Sequence, residues 1–371
     1  MIIKNTYLLN FRNFEKLNIS FSDNINIILG DNAQGKTNIL EAVYFSAKAK
    51  SFKQIRDKDM IKFDKDVSYI RTDIDTDGIY EKIEAKLSKN SKKTIRINEE
   101  IVETIRELRT FFDIVVFTPE DMKIIKESKS YRRNFLDDVI SSINPSYRKA
   151  LSNYNRILNQ RNHILKNGKY EKYFKEQLNA ASLQLAKEGA VIIAMRVKYI
   201  RNLELLGIDI HKNLSDDIEL FELEYESEIP MESVDIDYLT KSFIKVLNEN
   251  FSKDIKYKYT TVGCHRDDML ININGKSAKN YASQGQQRTA LLTLKLAQLK
   301  LLKYYKDTNP VILLDDVFSE LDDKRIGYLL NIIKDYQSLI TCTSLDILKQ
   351  YNLKNIRIFK LDSGKIDILR N

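Results

Sequence analysis

The spacing of apolar residues changes character along the chain. Residues 2–9 and 16–21 alternate as half-buried strands do, and the uniformly apolar stretch 25–29 is typical of a buried strand. Apolar positions in 38–49 recur at helical spacing, and strand-like alternation returns between 67 and 97. This order of strand, loop, helix and further strands predicts the beginning of an α/β domain.

A long helical segment follows a short apolar strand predicted at 113–117. Apolar stripes between 121 and 215 predict two antiparallel helices with a break at Asn167-Gly168. Helices of this length form an arm rather than a long coiled-coil rod. An acidic strand at 218–229 and an amphipathic helix at 238–247 complete the segment.

Strands and helices alternate after residue 257, which is typical of a parallel sheet with helical crossovers. Asn274-Gly275 predicts a hairpin, a helix is predicted at 284–305, and strands are predicted at 311–316 and 339–343. The predicted fold class is α/β, a head with mixed and parallel sheets and an inserted α-helical arm. The predicted domains are 1–120 (head, N-terminal part), 121–257 (helical arm) and 258–371 (head, C-terminal part).

Composition narrows the possible environments and partners. The net charge of +8 favours an acidic partner, and no stretch reaches the roughly 20 apolar residues of a spanning helix. The N-terminus lacks the residue order of a signal peptide, so we expect a cytoplasmic protein. Cys264 and Cys342 are predicted to be plain thiols, and His163, His211 and His265 lie too far apart in sequence to support a zinc site.

A phosphate-binding loop is predicted between the buried strand and the first helix, where GDNAQGKT fits G-x-x-x-x-G-K-[ST]. Lys36 would reach the β- and γ-phosphates of ATP, and the Thr37 hydroxyl would ligate Mg²⁺. A chance match in a surface turn is the alternative, but the required strand and helix flank the motif. The predicted nucleotide-binding residues are Gly30, Asp31, Asn32, Ala33, Gln34, Gly35, Lys36, Thr37 and Asn38.

Two carboxylates end the apolar strand VILLDD. Asp315 would hold Mg²⁺, and Asp316 would orient the attacking water, with Lys36 as the second catalytic residue. The two side chains of adjacent strand residues point to opposite faces, so we expect separate roles. An acidic cap of the next helix is the alternative interpretation.

A polar segment, Ser283, Gln284, Gly285 and Gln286, opens a predicted helix and offers a hydroxyl and backbone N–H groups to an anion. By itself it reads as a helix cap. Together with the phosphate-binding loop upstream, and LLDD and Ser319-Glu320-Leu321-Asp322 downstream, it resembles the ABC-type ATPase head with its signature, Walker B and D-loop in order.

The likeness is sharpest to the RecF family, within the SMC- and Rad50-like branch of that class, and it covers nearly the whole chain. The residues that carry it are 9–14, 35–42, 50–52, 56–59, 117–121, 132–137, 263–268 and 281–288.

The resemblance implies a DNA replication and repair protein that binds ATP and Mg²⁺ and dimerises on ATP. Each site would be composite, with Ser283 and Gly285 of one copy facing Lys36, Thr37 and Asp315 of the other. It implies binding to gapped or junction DNA without sequence specificity. It also implies cooperation with RecR and RecO to load RecA, and support of replication restart and the SOS response.

Several positions depart from the pattern of this class. Asp316 stands where glutamate is usual, and a carboxylate shifted by about an ångström predicts slow hydrolysis. We therefore expect a weak, DNA-stimulated ATPase. Leu339–Thr343 lacks the usual switch histidine, 117–121 lacks a Q-loop glutamine, Ala33 replaces a glycine and Cys264 a proline.

Basic clusters offer candidate contacts to the phosphate backbone, which would make DNA binding salt-sensitive. Most such runs are solvated faces, and no sequence-reading motif is present. The candidates are Lys50, Lys53, Arg56, Lys92, Lys93, Arg132 and Arg133.

Three other functions are compatible with an ATPase head. A transporter ATPase subunit is disfavoured by the missing Q-loop glutamine and the helical arm. A structural-maintenance or Rad50-like protein would need a longer coiled coil. A nucleotide-gated clamp with negligible turnover stays open, and turnover with and without DNA separates it from a DNA-stimulated ATPase.

Overall fold

The computed structural model describes residues 1–53, 55–103, 108, 112–167, 172–351, 353 and 355–370. By its internal contacts the chain forms two compact units. We call Met1–Asp121 with Leu302–Asn371 the head unit, and Met122–Leu301 the helical unit.

The elements are numbered along the chain. The first part of the head unit contains β1 Ile2–Phe11, β2 Phe14–Ser20, β3 Ile25–Leu29, α1 Lys36–Lys48, β4 Val67–Thr76, β5 Ile79–Ser88, β6 Thr94–Ile97, β7 Glu100–Ile101 and β8 Ile114–Phe117. The next elements are α2 Lys123–Lys126, α3 Lys129–Ile143, α4 Pro145–Asn167, α5 Phe174–Leu214, β9 Phe221–Glu226, α6 Ile236–Glu249, α7 Phe251–Tyr257, β10 Asp268–Ile273, β11 Lys276–Ser277, α8 Ala278–Tyr281 and α9 Gln284–Lys306. The last are β12 Val311–Asp315, α10 Asp323–Ile333, β13 Ser338–Cys342, α11 Asp346–Lys349, β14 Ile356–Asp362 and β15 Lys365–Arg370.

Two sheets build the head unit. In the order β15-β14-β3-β13-β12-β8, the strands from β14 to β8 are parallel and β15 is antiparallel. Strands β12 and β13 are buried at every residue, because helices and loops cover both faces of a parallel sheet. The second sheet, β2-β1-β4-β5-β6-β7, is antiparallel, and Asp77-Gly78 turns its β4–β5 hairpin at φ 54° and 89°. The predicted α/β class with a mixed sheet is therefore confirmed, and the second sheet is antiparallel rather than parallel.

The helical unit contains the predicted antiparallel helix pair. Asn153 of α4 hydrogen-bonds Glu188 of α5 at 2.9 Å, and Arg161 hydrogen-bonds Ser182 at 3.0 Å, so the two helices run in opposite directions. Helix α4 ends at Asn167, as predicted, and Gly168 lies outside the described residues. Helix α3 is an additional element that apolar periodicity alone did not separate from α4.

The helical unit extends further along the chain than the predicted arm. Strand β10 pairs with β9 in a three-stranded sheet, and both carboxylate oxygens of Asp268 accept from Arg132 at 2.8 and 2.7 Å. These contacts join residues after 257 to the helical unit, whose boundary at Leu301 falls within α9. The predicted boundary at 257/258 therefore separates segments that the structure packs together.

Two expectations from composition concern thiols and membranes. Cys264 and Cys342 are both free and buried, and burial raises their pKa to about 12 and about 11, so they are unreactive thiols. Among the described residues, none of the helices has the length and apolar character that crossing a membrane requires.

Candidate nucleotide site and signature segment

The glycine loop joins β3 to α1 and curls into an anion-binding shape. Ala33 and Gly35 have left-handed backbone angles, φ 67° and 106°, which turn successive N–H groups toward one point. Asp31, Asn32 and Ala33 are exposed at the tip, whereas Lys36 is buried. The N-terminus of α1 adds the positive end of its dipole, so the loop suits a phosphate.

At two glycines of the loop, neighbouring atoms leave too little room for a side chain. A Cβ on Gly30 would meet the carbonyl oxygen of Leu361 at 2.6 Å. A Cβ on Gly35 would meet the side-chain nitrogen of Asn13 at 2.5 Å. Any larger residue at either position would therefore push the loop from its neighbours.

Asn13 holds the loop from outside the motif. Its Nδ2 donates to the carbonyl of Gln34 at 2.8 Å, and its Oδ1 accepts from Asn38 Nδ2 at 2.9 Å. Gln34 Oε1 also accepts from the backbone N–H of Ser363 at 2.8 Å. Sequence reasoning assigned Asn13 no role, although it lies in the segment 9–14 that resembles the RecF family.

The ammonium group of Lys36 is bound to the loop itself. Its Nζ donates to the carbonyls of Gly30 and, at 2.9 Å, Asp31. Backbone carbonyls satisfy a buried cation only partly, and phosphate oxygens make stronger charge-assisted bonds. The geometry therefore poises Lys36 to exchange these carbonyls for the phosphates of a nucleotide.

Thr37, Asp315 and Thr341 form a compact oxygen cluster. Asp315 Oδ1 accepts from Thr37 Oγ1 at 2.7 Å and from Thr341 Oγ1 at 2.9 Å. Burial raises the pKa of Asp315, while these hydrogen bonds and the charge of Lys53 act to lower it. Hydroxyl and carboxylate oxygens are the donors that Mg²⁺ prefers, so Thr37 and Asp315 fit the predicted cation.

Asp316 corrects one step of the sequence argument. Strand β12 ends at Asp315, and Asp316 has a left-handed backbone with φ 51°, so the alternation of strand side chains does not govern it. Its N–H donates to Thr341 Oγ1 at 2.9 Å, and its carbonyl accepts from Ser319 Oγ at 2.7 Å. The strand-alternation argument for separate roles of Asp315 and Asp316 therefore does not apply to Asp316. Further along, Asp322 caps α10 by accepting from Arg325 N–H at 2.9 Å.

The signature segment lies at the N-terminus of α9 in the helical unit. Ser283 Oγ accepts from Gln286 N–H at 3.2 Å, and Gln286 Oε1 accepts from Ser283 N–H at 2.8 Å, which is a reciprocal capping box. Ser283, Gln284 and Gly285 are exposed, and among the described residues beyond its chain neighbours and its own helix backbone, the Ser283 hydroxyl, at 3.8 Å, is what a Cβ built on Gly285 would approach. The cap interpretation is thus confirmed, and it leaves the segment open to a ligand.

A partly buried chain of hydrogen bonds supports this segment. Gln286 Nε2 donates to Glu219 Oε1 at 2.9 Å, and Glu219 Oε2 lies 3.1 Å from His211 Nε2. His211, fully buried and stacked on Phe221, contacts Thr293 Oγ1 at 3.0 Å. His211 therefore orients the start of α9, a role that sequence reasoning missed because Thr293 and Gln286 are remote from it in sequence.

Several of the predicted DNA contacts have partners within their own units. Arg132 is buried in its ion pair with Asp268, which corrects its assignment as a phosphate contact. Lys93 donates to the Ala49 carbonyl at 2.6 Å and pairs with Asp57 at 2.9 Å. The positive charge of Lys53 acts to lower the pKa of Asp315. Arg133 donates to the Asp267 carbonyl at 2.7 Å and is half-buried. Arg56 and Lys92 are exposed, and Lys50 is half-buried.

The motifs around Arg132 and Cys264 meet in the core of the helical unit. Arg196, fully buried, donates to Asp137 at 2.8 Å and to the Cys264 carbonyl at 2.6 Å. Tyr225 donates to Asp267 beside it. Removing one member would leave a buried charge unpaired, so these motifs are structural.

The comparisons with known proteins agree with this geometry. The family model of the RecF/RecN/SMC N terminal domain matches residues 2–367. The chain is similar to an SMC head domain from Pyrococcus furiosus, with a TM-score of 0.56 and 17% identity over 99% of this chain and 96% of that one. Fold and site thus define an ABC-type ATPase head.

Full-length relatives narrow the class. The chain is 43% identical over 366 residues to the DNA replication and repair protein RecF of Clostridium perfringens, covering 99% of each. It is 41% identical to that of Clostridium novyi, covering 99% of this chain and all of the relative. A solved structure of the recombination mediator protein RecF-ATP in the RecFOR pathway superposes with a TM-score of 0.92 at 36% identity, covering 100% of this chain and 98% of that one. The chain belongs to the RecF family.

Proposed function

We propose that this protein is an ATP-gated DNA-binding protein of recombinational repair. ATP, with Mg²⁺ held by Thr37 and Asp315, occupies the glycine loop of one copy and is closed by Ser283 to Gln286 of a second copy. The observation that carries the proposal is the Thr37–Asp315 contact of 2.7 Å beside a buried Lys36, since it assembles the phosphate and cation ligands in one place. The naming of ATP in the solved RecF structure supports the ligand.

The chemistry assigned to single residues follows from their positions. Lys36 stabilises charge on the phosphates, Asp316 orients the attacking water, and Ser319 and Asp322 shape the loop after Asp316. Bound Mg²⁺ supplies neutralisation of phosphate charge. The short Asp316 side chain makes hydrolysis slow, so the protein acts mainly as a nucleotide-gated binder whose weak turnover is stimulated by DNA.

The cellular role comes from the family. The protein binds gaps or junctions between single- and double-stranded DNA, cooperates with RecR and RecO to load RecA, and supports replication restart and SOS induction. The RecFOR pathway named for the solved relative supports these partners. Bacterial chromosomal DNA lies in the cytoplasm, so the proposal places the protein there. Arg56, Lys92, Lys50 and Arg133 stay the candidate phosphate contacts.

Sedimentation and DNA retention test the proposal together. ATP with Mg²⁺ is expected to convert monomers into dimers, and the dimers are expected to stay on gapped DNA longer than on duplex DNA. Affinity for both DNAs should fall steeply between low and physiological salt. An unchanged monomer population with ATP and Mg²⁺ would rule out the dimer, and a flat salt response would rule out backbone recognition.

A further inference from the structure

The loop end of the α4–α5 helix pair carries exposed aromatic and basic residues that the nucleotide site does not use. Tyr257 and Tyr259 are 50% and 42% exposed, and Tyr173 is 58% exposed. Tyrosine side chains that belong to the hydrophobic core would be buried rather than exposed to this extent. We define the hairpin-end surface as Lys172, Tyr173, Lys256, Tyr257, Lys258 and Tyr259.

An apolar cluster brings the two parts of this surface together. Leu165 and Phe174, from the facing ends of α4 and α5, pack with Phe251 and Ile255 of α7. Arg161 of α4 pairs with Asp254 of α7 at 2.8 Å, and the Thr260 N–H donates to Asn162 at 2.7 Å. Helix α7 is therefore fixed beside the end of the helix pair, and its tyrosines are held in place.

The backbone sets Tyr257 and Tyr259 side by side. Lys258 ends α7 in the left-handed conformation, φ 62°, and its N–H donates to the Asp254 carbonyl at 2.8 Å. The ring centroids of Tyr257 and Tyr259 lie 6.0 Å apart with 34° between their planes. This left-handed helix end therefore places two exposed rings next to each other.

Positive charge surrounds these rings. Lys256 Nζ lies 5.7 Å from the Tyr257 ring centre, and Lys172 Nζ lies 5.5 Å from that of Tyr173. Within the described parts of 163–178 and 251–260, Glu176 is the exposed acid, because Asp254 is buried in its pair with Arg161. The exposed lysines there are Lys166, Lys172, Lys175, Lys253, Lys256 and Lys258.

A groove next to the cluster is lined by amide side chains on a mostly apolar surface. It has a volume of about 410 Å³ and lies between α4 and α5, where Ile164 connects it to the apolar cluster. Its lining includes Gln160, Gln177, Gln184 and His163. Amide groups can donate to and accept from the edges of unpaired bases.

We infer that the hairpin-end surface binds single-stranded nucleic acid, with bases stacked on the tyrosine rings and phosphates held by the lysines. Aromatic platforms inside a basic field are the means by which proteins bind single strands without reading their sequence. Duplex DNA keeps its bases stacked on one another, so the tyrosines select the single-stranded side of a gap. The inference rests on the proposed DNA-binding function and assigns a surface for its single-stranded substrate.

Anisotropy of a labelled oligothymidylate, with ATP and Mg²⁺ present, tests this surface. Replacing both tyrosines, Tyr257→Ala with Tyr259→Ala, should weaken binding by about tenfold or more, since stacking on each ring is lost. Tyr257→Phe with Tyr259→Phe keeps the stacking faces and should bind within about twofold of the wild type. Tyr80→Ala is the matched control, because Tyr80 is 73% exposed but is adjacent to Glu81 and pairs across the strands with Asp75.

The lysines are tested by the salt dependence of the same binding. Lys256→Gln with Lys258→Gln should reduce the slope of log affinity against log salt by about 1.4, at about 0.7 for each lost phosphate contact on a single strand. The same tyrosine and lysine variants should keep ATP-dependent dimerisation and their melting temperature, because the replaced side chains are exposed.

The outcomes separate the surface from the proposed function. If the double alanine variant binds the oligothymidylate with wild-type affinity, the hairpin-end surface does not bind single strands and the inference is wrong. This holds whether or not that variant loses a protein partner. Phenylalanine variants as weak as the alanine variants overturn stacking. If the wild-type protein itself binds no DNA, the proposed function fails and not merely this surface.

Discussion

The glycine loop and the signature segment both lie at the N-terminus of a helix, yet their surroundings differ. In the loop, Lys36 is buried on backbone carbonyls and Thr37 is bound to Asp315. In the signature segment, Ser283 and Gly285 face solvent, and the capping box is what fixes their position. The loop holds its functional groups in place, whereas the segment is an oriented surface. This difference is what we expect if, as proposed, the loop captures nucleotide within one chain and the segment acts on the nucleotide of another.

Substitutions in the two regions should therefore separate binding from assembly. Lys36→Ala removes the charge that meets the phosphates and should lower ATP affinity by about 10- to 100-fold, with loss of the dimer between two variant chains. Ser283→Arg should leave ATP affinity nearly unchanged and abolish the dimer, because a long charged side chain fills the exposed segment. Calorimetry and sedimentation measure the two properties. Equal loss of ATP affinity in both variants would remove the distinction.

Hydrolysis should depend on a third position, the turn after β12. Asp316→Asn should lower phosphate release by about 10²-fold or more while ATP binding persists, because the carboxylate that orients water is lost. Asp316→Glu should raise turnover, since it moves the carboxylate about an ångström closer. Phosphate release with and without DNA also distinguishes a stimulated ATPase from a silent clamp. Wild-type turnover in the asparagine variant would place the base elsewhere.

The loop should be sensitive to pH in a direction set by Asp315. Burial raises the pKa of Asp315 in the folded protein above its value in the unfolded chain. The ionised carboxylate therefore lowers the stability of the fold as pH rises through the folded-state pKa, and this destabilisation is absent below the unfolded-state pKa. Asp315→Asn should therefore raise the melting temperature of the nucleotide-free protein at neutral pH and weaken Mg²⁺-dependent ATP binding by about 10- to 100-fold.

The wild-type protein supplies the companion test of Asp315. Its Mg²⁺-dependent ATP affinity should fall as pH decreases toward the raised pKa, because protonation removes the charge that attracts the cation. The asparagine variant should lack this pH dependence. A variant that keeps the wild-type pH profile would show that Asp315 does not act on the cation.

The smallest effect should come from the support of the signature segment. Glu219→Ala releases Gln286 and His211, and it should weaken ATP-dependent dimerisation about two- to tenfold without changing ATP affinity. Glu219→Gln keeps an acceptor for Gln286 and should recover most of the loss. Glu224→Ala is the matched control, because Glu224 is exposed on β9. An effect of equal size in the control would mean that net charge, not Gln286, matters.

The fold was predictable where one pattern dominates. Buried β3 and β12, the helix after Lys36 and the Asp77-Gly78 hairpin followed from periodicity and turn chemistry, because those signals are local. The boundary between the two units within α9 did not follow from these local signals, because it depends on the pairing of β10 with β9.

The site was predictable only in its sequence motifs. Asn13 contacts Gln34 and His211 contacts Thr293, both far away in sequence, and a single sequence gives no distance between such residues. Arg132 illustrates the opposite error, because an arginine beside another arginine looks like a solvated basic face until Asp268 is seen to neutralise it. A position that departs from the pattern of the class, such as Ala33, was a better indicator of local structure. Ala33 has a left-handed φ, which explains why glycine is usual at this position.

The central claim, that nucleotide in the loop of one copy is closed by the signature segment of another, can be tested by photochemical crosslinking. An ATP analogue with a photoreactive γ-phosphate group is added to an equimolar mixture of unlabelled wild-type chains and isotope-labelled Lys36→Ala chains, which bind nucleotide poorly. The account predicts that the crosslink forms on the peptide of Ser283 to Gln286 in the isotope-labelled chains. Crosslinks confined to the wild-type chains that bind the analogue would contradict it.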